Sequence, residues 1–211
     1  MTARSNLFRV SVVVPPKVAT FIDRYFQSQV RGDLYGAGLM QTLQRILQTG
    51  LLSHSVTIPG RSLDTFEAQP LAPAPAQKLP YGSEYGDLNL SYYLAGKDAP
   101  TLRGLATLFH VWQSFVMLDE SSSFTINPQS QWGLAYLSDY ATDIFVDVLG
   151  RDIPENGEAR ILMSYQFEKA WPIGVGDVHY RWGEHGGSVQ SLPVSFTYQF
   201  MHPTPRDFAS F

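Results

Sequence analysis

The side chains able to ligate a metal, move a proton or attack a substrate are few and scattered. The histidines are His54, His110, His179, His185 and His202. No two stand four apart, as a metal pair on one helix face requires, and no HExxH occurs. His179 and His185 lie close together with Glu184 beside them, a set with the right donors for a metal. The same stretch also reads as a hairpin turn at Gly186-Gly187 with a polar His185 at its tip, and that reading is preferred. Gly174-Val-Gly176 opens like a dinucleotide fingerprint, but His179 occupies the third glycine position and no helix follows. Gly36-Ala-Gly38 has no strand before it. There is no GxSxG elbow and no phosphate-cradling loop. Asp119-Glu120 and the trio Asp139, Asp143 and Asp147 offer carboxylates for acid–base work. The trio, however, falls at polar positions flanking and within a strand. Cysteine is absent, which removes disulfides, thiol nucleophiles and zinc–thiolate sites together. The residues assign no catalytic, cofactor-binding or metal site, so the expectation is a non-enzyme without cofactors.

The elements that would position any site alternate in period. Leu7–Val14 is rich in β-formers and stops at Pro15-Pro16, which cannot donate to a ladder. From Val18 the apolar residues Phe21, Ile22, Tyr25, Phe26 and Val30 recur at three and four, and Leu39, Met40, Leu43, Ile46 and Leu47 resume that spacing up to Gly50. Residues 18–50 therefore read as a helical hairpin inserted between two strands. Ser53–Ile58 returns to β character and ends at Pro59-Gly60. The proline-rich run Gln69–Ala76 suits an extended arm, placed at 59–86. Asp87–Leu94 alternates as a strand. Thr101–Leu118 carries Leu102, Leu105, Leu108, Phe109, Trp112, Phe115 and Val116 on one face, with Thr101 as candidate N-cap. Alternating segments follow at Ala141–Leu149, Arg160–Lys169, Val175–Trp182 and Val189–Met201. In the last, Val194, Phe196, Tyr198 and Phe200 share one face. The chain thus reads as one α+β domain over residues 1–211: an antiparallel sheet or sandwich with one packed helix and the inserted helical hairpin.

Composition points away from a solitary monomer. Charged residues make up 16% and aromatic residues 13% of the chain, against roughly 25% charged in ordinary soluble domains. Charge depletion with aromatic enrichment marks interface cores, although an aromatic-rich β domain would look similar. The net charge of −4 gives no electrostatic case for gripping phosphate backbones. A mildly acidic wall can still line a passage for nucleic acid without sticking to it. The start of the chain lacks signal-peptide character, and no apolar run approaches the ~20 residues of a spanning helix. No membrane partner is expected, and cytoplasmic synthesis is. Segment 18–50 has only Lys17, Arg24, Arg31 and Arg45 spread along it, too sparse for a membrane-surface helix.

Several segments, in order, resemble the tail-tube family of contractile-tailed bacteriophages. Ser5-Asn-Leu-Phe-Arg-Val10 resembles the opening of the first tube strand. Ile58-Pro-Gly-Arg-Ser62 resembles the turn before the family's long loop. Leu79-Pro-Tyr-Gly82 and Asp87–Tyr92 are similar to the segment and strand that follow, and His110–Phe115 sits where the tube helix carries its tryptophan. In the C-terminal third, Tyr140, Asp143–Val148, Tyr165–Pro172, Val175–Val178 and Leu192–Tyr198 follow the closing strands in order. The helical insert at 18–50 departs from ordinary tube subunits, which take a short route there, and resembles the tube initiators of the baseplate.

The resemblance implies a barrel-forming sheet of the tail-tube type and a hexameric ring in which sheet edges of identical subunits join around a DNA channel. Adjacent tube or hub rings become partners through the 59–86 arm. Sheath or wedge proteins become partners through the 18–50 insert, and phage DNA is passing cargo only. The location implied is the virion tail or baseplate, assembled in the host cytoplasm. Candidate packing and interface residues are Phe8, Pro59, Arg61, Tyr81, Trp112, Phe115, Trp171, Phe196 and Tyr198. A major tail tube protein is the nearest alternative. A monomeric β-sheet ligand-binding module, with Tyr165, Trp171, Tyr180 and Trp182 as its platform, is the alternative of another class.

Overall fold

A computed structural model describes residues 8–29, 38–50, 52–68, 77–93, 99–117, 135–150, 161–177 and 191–205. In chain order these hold β1 (Phe8–Val12), α1 (Pro16–Gln29), α2 (Leu39–Thr49), β2 (Ser53–Thr57), β3 (Arg61–Ala68), β4 (Gln77–Tyr85) and β5 (Leu88–Tyr93). They continue with α3 (Ala99–Met117), α4 (Leu137–Tyr140), β6 (Thr142–Leu149), β7 (Ile161–Val175), β8 (Ser191–Thr197) and β9 (Phe200–Pro205). The fold is α+β. Seven strands form one antiparallel sheet in the order β1-β6-β7-β8-β5-β2, with β9 also pairing β7, while β3 and β4 form a separate two-stranded ribbon. The sheet does not close on itself, since β1 and β2 stand at opposite ends of that order.

The long strand β7 organises the sheet. Its first part pairs with β6 and β9, and its last part, from Trp171 to Val175, pairs with β8. The change of partner falls at Lys169, whose φ of 51° is left-handed, a conformation that costs a side-chain-bearing residue energy and so needs support from its surroundings. Its N–H donates to Asp143 Oδ1 at 3.1 Å. Across from it, Gln199 N–H donates to the Glu168 carbonyl at 3.0 Å, where β8 passes into β9. Both long strands therefore bend together at one corner.

This corner corrects two expectations. Segments 160–169 and 175–182 are not two strands: Ala170-Trp171-Pro172 continues the first, because Pro172 pairs opposite Phe196 at a bulge rather than breaking the ladder. Residues 178–182 lie outside the described residues. The face assigned to Val194, Phe196, Tyr198 and Phe200 also fails at its end. Leu192, Val194 and Phe196 are buried, yet Phe200 is 54% exposed, while Met201 packs against the core opposite Phe167. The irregular step at 198–199 shifts the two-residue period by one and turns Phe200 outward.

Both helical stretches form, with starts earlier than their patterns suggest. α1 begins at Pro16, whose missing N–H costs nothing in a first turn. α3 begins at Ala99, so Thr101 lies inside the first turn rather than capping it. Leu105, Leu108, Phe109 and Trp112 of α3 are fully buried and share one core with Leu88, Leu90 and Tyr92 of β5 and Leu192, Val194 and Phe196 of β8. The Phe109 ring meets Phe196 edge-on at 5.8 Å, a favoured aromatic arrangement. Trp112 Nε1–H donates to the Tyr140 carbonyl at 2.9 Å, which satisfies the one polar atom of the largest buried side chain. Val18, Ile22 and Phe26 of α1 and Met40, Leu43 and Leu47 of α2 belong to the same core. The helical insert is thus part of the hydrophobic body.

Candidate functional site

Of the carboxylates that sequence alone leaves free for chemistry, Asp143 and Asp147 hold strands together and Asp139 pairs with α1, while Asp119 and Glu120 lie outside the described residues. Asp147, although on the sheet face away from the helices, is buried. It accepts from Arg9 Nη2 at 2.6 Å and Nε at 3.2 Å, and from Ser164 Oγ at 2.7 Å. β1, β6 and β7 are thereby stitched across that face. Asp143 accepts from Gln166 Nε2 at 3.4 Å besides the Lys169 amide, and Asp139 pairs with Lys17 at 2.8 Å. The resulting polar face is lined by Arg9, Ser11, Phe145, Asp147, Ser164 and Gln166, alternating with the core residues Val10, Ile144 and Val146.

The histidines within the described residues are apart. His54 meets the Tyr93 ring edge-on at 4.2 Å on β2 and β5, and His202 approaches Glu168 at 3.5 Å on β9 and β7. Among the described residues no cluster of three metal-ligating side chains occurs; His179, Glu184 and His185 lie outside them. Gly176 answers to a steric demand, since a Cβ there would collide with the Pro193 ring of β8, and its N–H donates to the Pro193 carbonyl at 2.8 Å. Tyr92 is fully buried beside Phe109, and burial pushes its hydroxyl well above the ordinary tyrosine range. That makes it a core residue rather than a proton carrier.

The most unusual surface is the ribbon β3–β4. Its strands pack chiefly on each other and expose Leu63 (60%), Phe66 (50%) and Tyr81 (70%), with Leu79 and Tyr85 also exposed. Phe66 stands opposite Leu79, and its ring lies 6.2 Å from Tyr81. Leu63 and Tyr85 fall at the alternate positions of the register, so each face of the ribbon carries apolar side chains in water. The root is more ordered chemically. Gly86 N–H donates to the Gly60 carbonyl at 3.4 Å, and Tyr198 Oη donates to the Gly86 carbonyl at 3.1 Å. The Arg61 guanidinium lies over the Tyr85 ring at 5.6 Å and donates to Ser83 Oγ. Partial burial first, then Tyr85 and Asp87, push the Tyr198 hydroxyl up to about 12.

The nine candidate residues divide accordingly. Trp112 and Phe196 are core, Phe8 and Phe115 pack at its margin, and Trp171 packs edge-on against Tyr140 at 5.6 Å. Phe115 meets Phe21 of the insert at 5.3 Å. Buried Pro59, with Arg61 and Tyr198, forms the ribbon's root, and Tyr81 projects from it. The ligand-platform set is not assembled among the described residues: Tyr180 and Trp182 lie outside them, and Trp171 is occupied by Tyr140. Sequence reasoning missed Leu63, Phe66, Leu79 and Tyr85, because Arg61–Ala68 does not alternate and Pro80 interrupts the facing strand.

Among the described residues, then, Asp139, Asp143 and Asp147 sit in structural pairs, and the β3–β4 ribbon exposes apolar side chains on both faces, the kind of surface that marks interaction sites. The chain belongs to the phage tail tube protein family, whose model matches residues 3–202. No curated protein matches the sequence. Among solved structures, it is similar to a chain of the anti-feeding prophage baseplate, sixfold symmetrised, with 11% identity, coverage of 99% of each chain and a TM-score of 0.46. It is similar to a chain of the anti-feeding prophage tube-terminating cap, with 12% identity, coverage of 97% and 92%, and a TM-score of 0.49. An Hcp protein is similar at 9% identity, with coverage of 94% and 96% and a TM-score of 0.40.

Proposed function

We propose that this member of the tail tube family is the tube initiator: a non-enzymatic subunit that forms a hexameric ring at the baseplate and templates the tube above it. The observation that carries the reading is the insert. α1 and α2 stand between the first and second strands and share the core with α3, where an ordinary tube subunit takes a short connection. The polar sides of these helices would face sheath or wedge proteins. Their outward residues Lys17, Thr20, Asp23, Arg24, Gln41 and Arg45 are exposed and suit a reversible, hydrated contact rather than a buried one.

The ribbon β3–β4 would reach a neighbouring copy or ring, and the polar face bearing Asp143, Asp147, Ser164 and Gln166 would line the DNA channel. That face carries more acid than base, so it repels rather than grips a passing duplex. The particle would assemble in the host cytoplasm as part of the virion tail. Co-expression with the neighbouring tail genes, followed by negative-stain imaging, tests the assignment. Single rings of six subunits seated on a hub are expected. Long tubes formed without a hub would make the chain a major tube protein, and persistent monomers in the presence of the hub would overturn both.

A further inference from the structure

Where α2 meets β1, the polar face of the sheet carries a cleft of about 390 Å³. Its floor is the buried pair Asp147 and Ser164. Gln48 and Thr49, from the last turn of α2, form one wall, and Arg9, Ser11 and Phe145 complete the lining. Gly50 brings that wall in. A Cβ there would lie 2.5 Å from the Val10 carbonyl oxygen. The backbone just after α2 therefore lies against β1 only because this residue has no side chain and adopts a φ of 67°. The wall belongs to the helical insert. A subunit with a short connection between its first two strands would have the floor of this cleft without its wall.

The hydrogen-bonding groups of the cleft are unevenly engaged. Both Asp147 oxygens are taken, Oδ2 by Arg9 Nε and Nη2 and Oδ1 by Ser164 Oγ. The Thr49 hydroxyl donates to the Arg45 carbonyl at 2.7 Å. Among the described residues, nothing accepts from Arg9 Nη1, and the Gln48 amide and Ser11 hydroxyl are likewise without a hydrogen-bond partner. Asp147 grips the guanidinium along its Nε–Nη2 side, which leaves the Nη1–Nη2 end free. The Arg9 side chain is 52% exposed where that of Asp147 is 11% exposed, so the fork is held from below and open above. A cleft with donors to spare calls for a ligand that brings acceptors. The planar end of a guanidinium matches the two coplanar oxygens of a carboxylate.

The surrounding charges permit a single carboxylate. The charge of Asp147 is met by Arg9 at 2.6 Å. Asp143 stands four residues along β6 from Asp147, and Glu168 four along β7 from Ser164. At the rise of a strand that is roughly 13 Å, beyond the ~8 Å over which physiological salt screens exposed charges. The C-terminal end of α2 is weakly negative, but its Ile46 and Arg45 carbonyls already accept from the Gly50 N–H and the Thr49 hydroxyl. A duplex, with a phosphate charge every ~1.7 Å of its axis, would meet those distant acids as well. Phe145, opposite Ser11 and 36% exposed, offers an apolar flank to a methylene stem. Arg9, Gln48 and Thr49 are all exposed, so the cleft admits a side chain whose backbone stays outside. We infer that this cleft binds the carboxylate of an acidic side chain on a partner protein, held by the free end of Arg9 and the Gln48 amide. The site is complete in one subunit and does not depend on the ring-forming role.

The test titrates the isotope-labelled full-length subunit with N-acetyl-glutamate N-methylamide and follows the Gln48 side-chain amide and the Arg9 Nε–H by NMR. Saturable shifts at both are expected. Gln48→Ala should weaken binding about tenfold, as the loss of a hydrogen bond to a charged group implies, without lowering the melting temperature. Arg9→Lys keeps the charge but loses the fork, and should abolish the shifts; should that variant fail to fold, Gln48→Ala decides. Equal binding of N-acetyl-glutamine N-methylamide would overturn the need for a carboxylate. Tighter binding of inorganic phosphate would overturn the choice of anion, and tighter binding of succinate would overturn the protein source. No saturable shift would overturn the site itself. Each of these outcomes leaves the ring-forming role to its own test with the hub.

Discussion

The helical and sheet body and the β3–β4 ribbon are made from the same kinds of residue and use them oppositely. In the body, Phe109, Trp112 and Phe196 are fully buried and touch in edge-on or stacked pairs. In the ribbon, Phe66 and Tyr81 touch each other and otherwise face water. Burying a large apolar side chain contributes on the order of 1.5–3 kcal/mol, so the body collects this stabilisation on folding while the ribbon leaves it for a later event. A cut through the chain at Gly60 and Gly86 thus separates what folds the subunit from what an assembly can bury.

The sharpest way to break this comparison is at its best-packed point. Trp112→Ala removes a fully buried indole and the donor to the Tyr140 carbonyl, and is expected to cost about 3–5 kcal/mol in urea unfolding. A loss below about 1 kcal/mol would show that α3 does not anchor the sheet. Gly50→Ala comes next. The left-handed φ alone costs about 1–2 kcal/mol, and the new methyl meets the Val10 backbone. Gly38→Ala is the control, because its φ is also positive, at 111°, but nothing lies within 4 Å of the added carbon. Equal losses in the two variants would mean that the contact between α2 and β1 carries no stability.

Much of the body is legible in the sequence because its periods are clean. Ile22 and Phe26 in α1, Leu43 and Leu47 in α2, and Leu105, Leu108, Phe109 and Trp112 in α3 announce their helices and their buried faces. So do Leu88, Leu90 and Tyr92 in β5. What stayed hidden depends on partners far apart in the chain. Lys169 takes its left-handed turn where Asp143 accepts its amide, and Pro172 is tolerated because β7 bulges beside it, at Ile173, against β8. The burial of Asp147 needs Arg9, 138 positions away. The ribbon was hidden for another reason: its apolar residues serve no interior, so no period is imposed on them.

The junction between the two regions can be tested by pH as well as by mutation. Tyr198→Phe deletes the bond to the Gly86 carbonyl and is expected to cost roughly 0.5–1.5 kcal/mol. The folded chain holds the Tyr198 proton to about 12, against an ordinary value of 10.0. Above pH 10 the unfolded chain releases that proton more readily than the folded one. The contribution of Tyr198 is therefore complete below about pH 10 and declines as pH rises towards 12. Alkaline unfolding curves of the wild type and the variant should converge across that window. Parallel curves would place the raised ionisation elsewhere than at the ribbon's root.

The smallest effect on folding is expected at the ribbon itself, and it decides most about its purpose. Tyr81→Ser and Phe66→Ser alter side chains already largely in water, so the unfolding free energy of the isolated subunit should stay within about 0.5 kcal/mol of wild type. The same variants remove the apolar surface an assembly would bury, so ring formation with the hub should fall tenfold or more, as the loss of about 1.4 kcal/mol per contact implies. Calorimetry on the monomer and particle counts on the mixture read the two quantities separately. If unfolding weakened as much as assembly did, the ribbon would belong to the body, and its exposed aromatics would be folding residues after all. If neither changed, the apolar faces would serve no contact, and an exposed ribbon with no partner would need a different physical reason to persist in water.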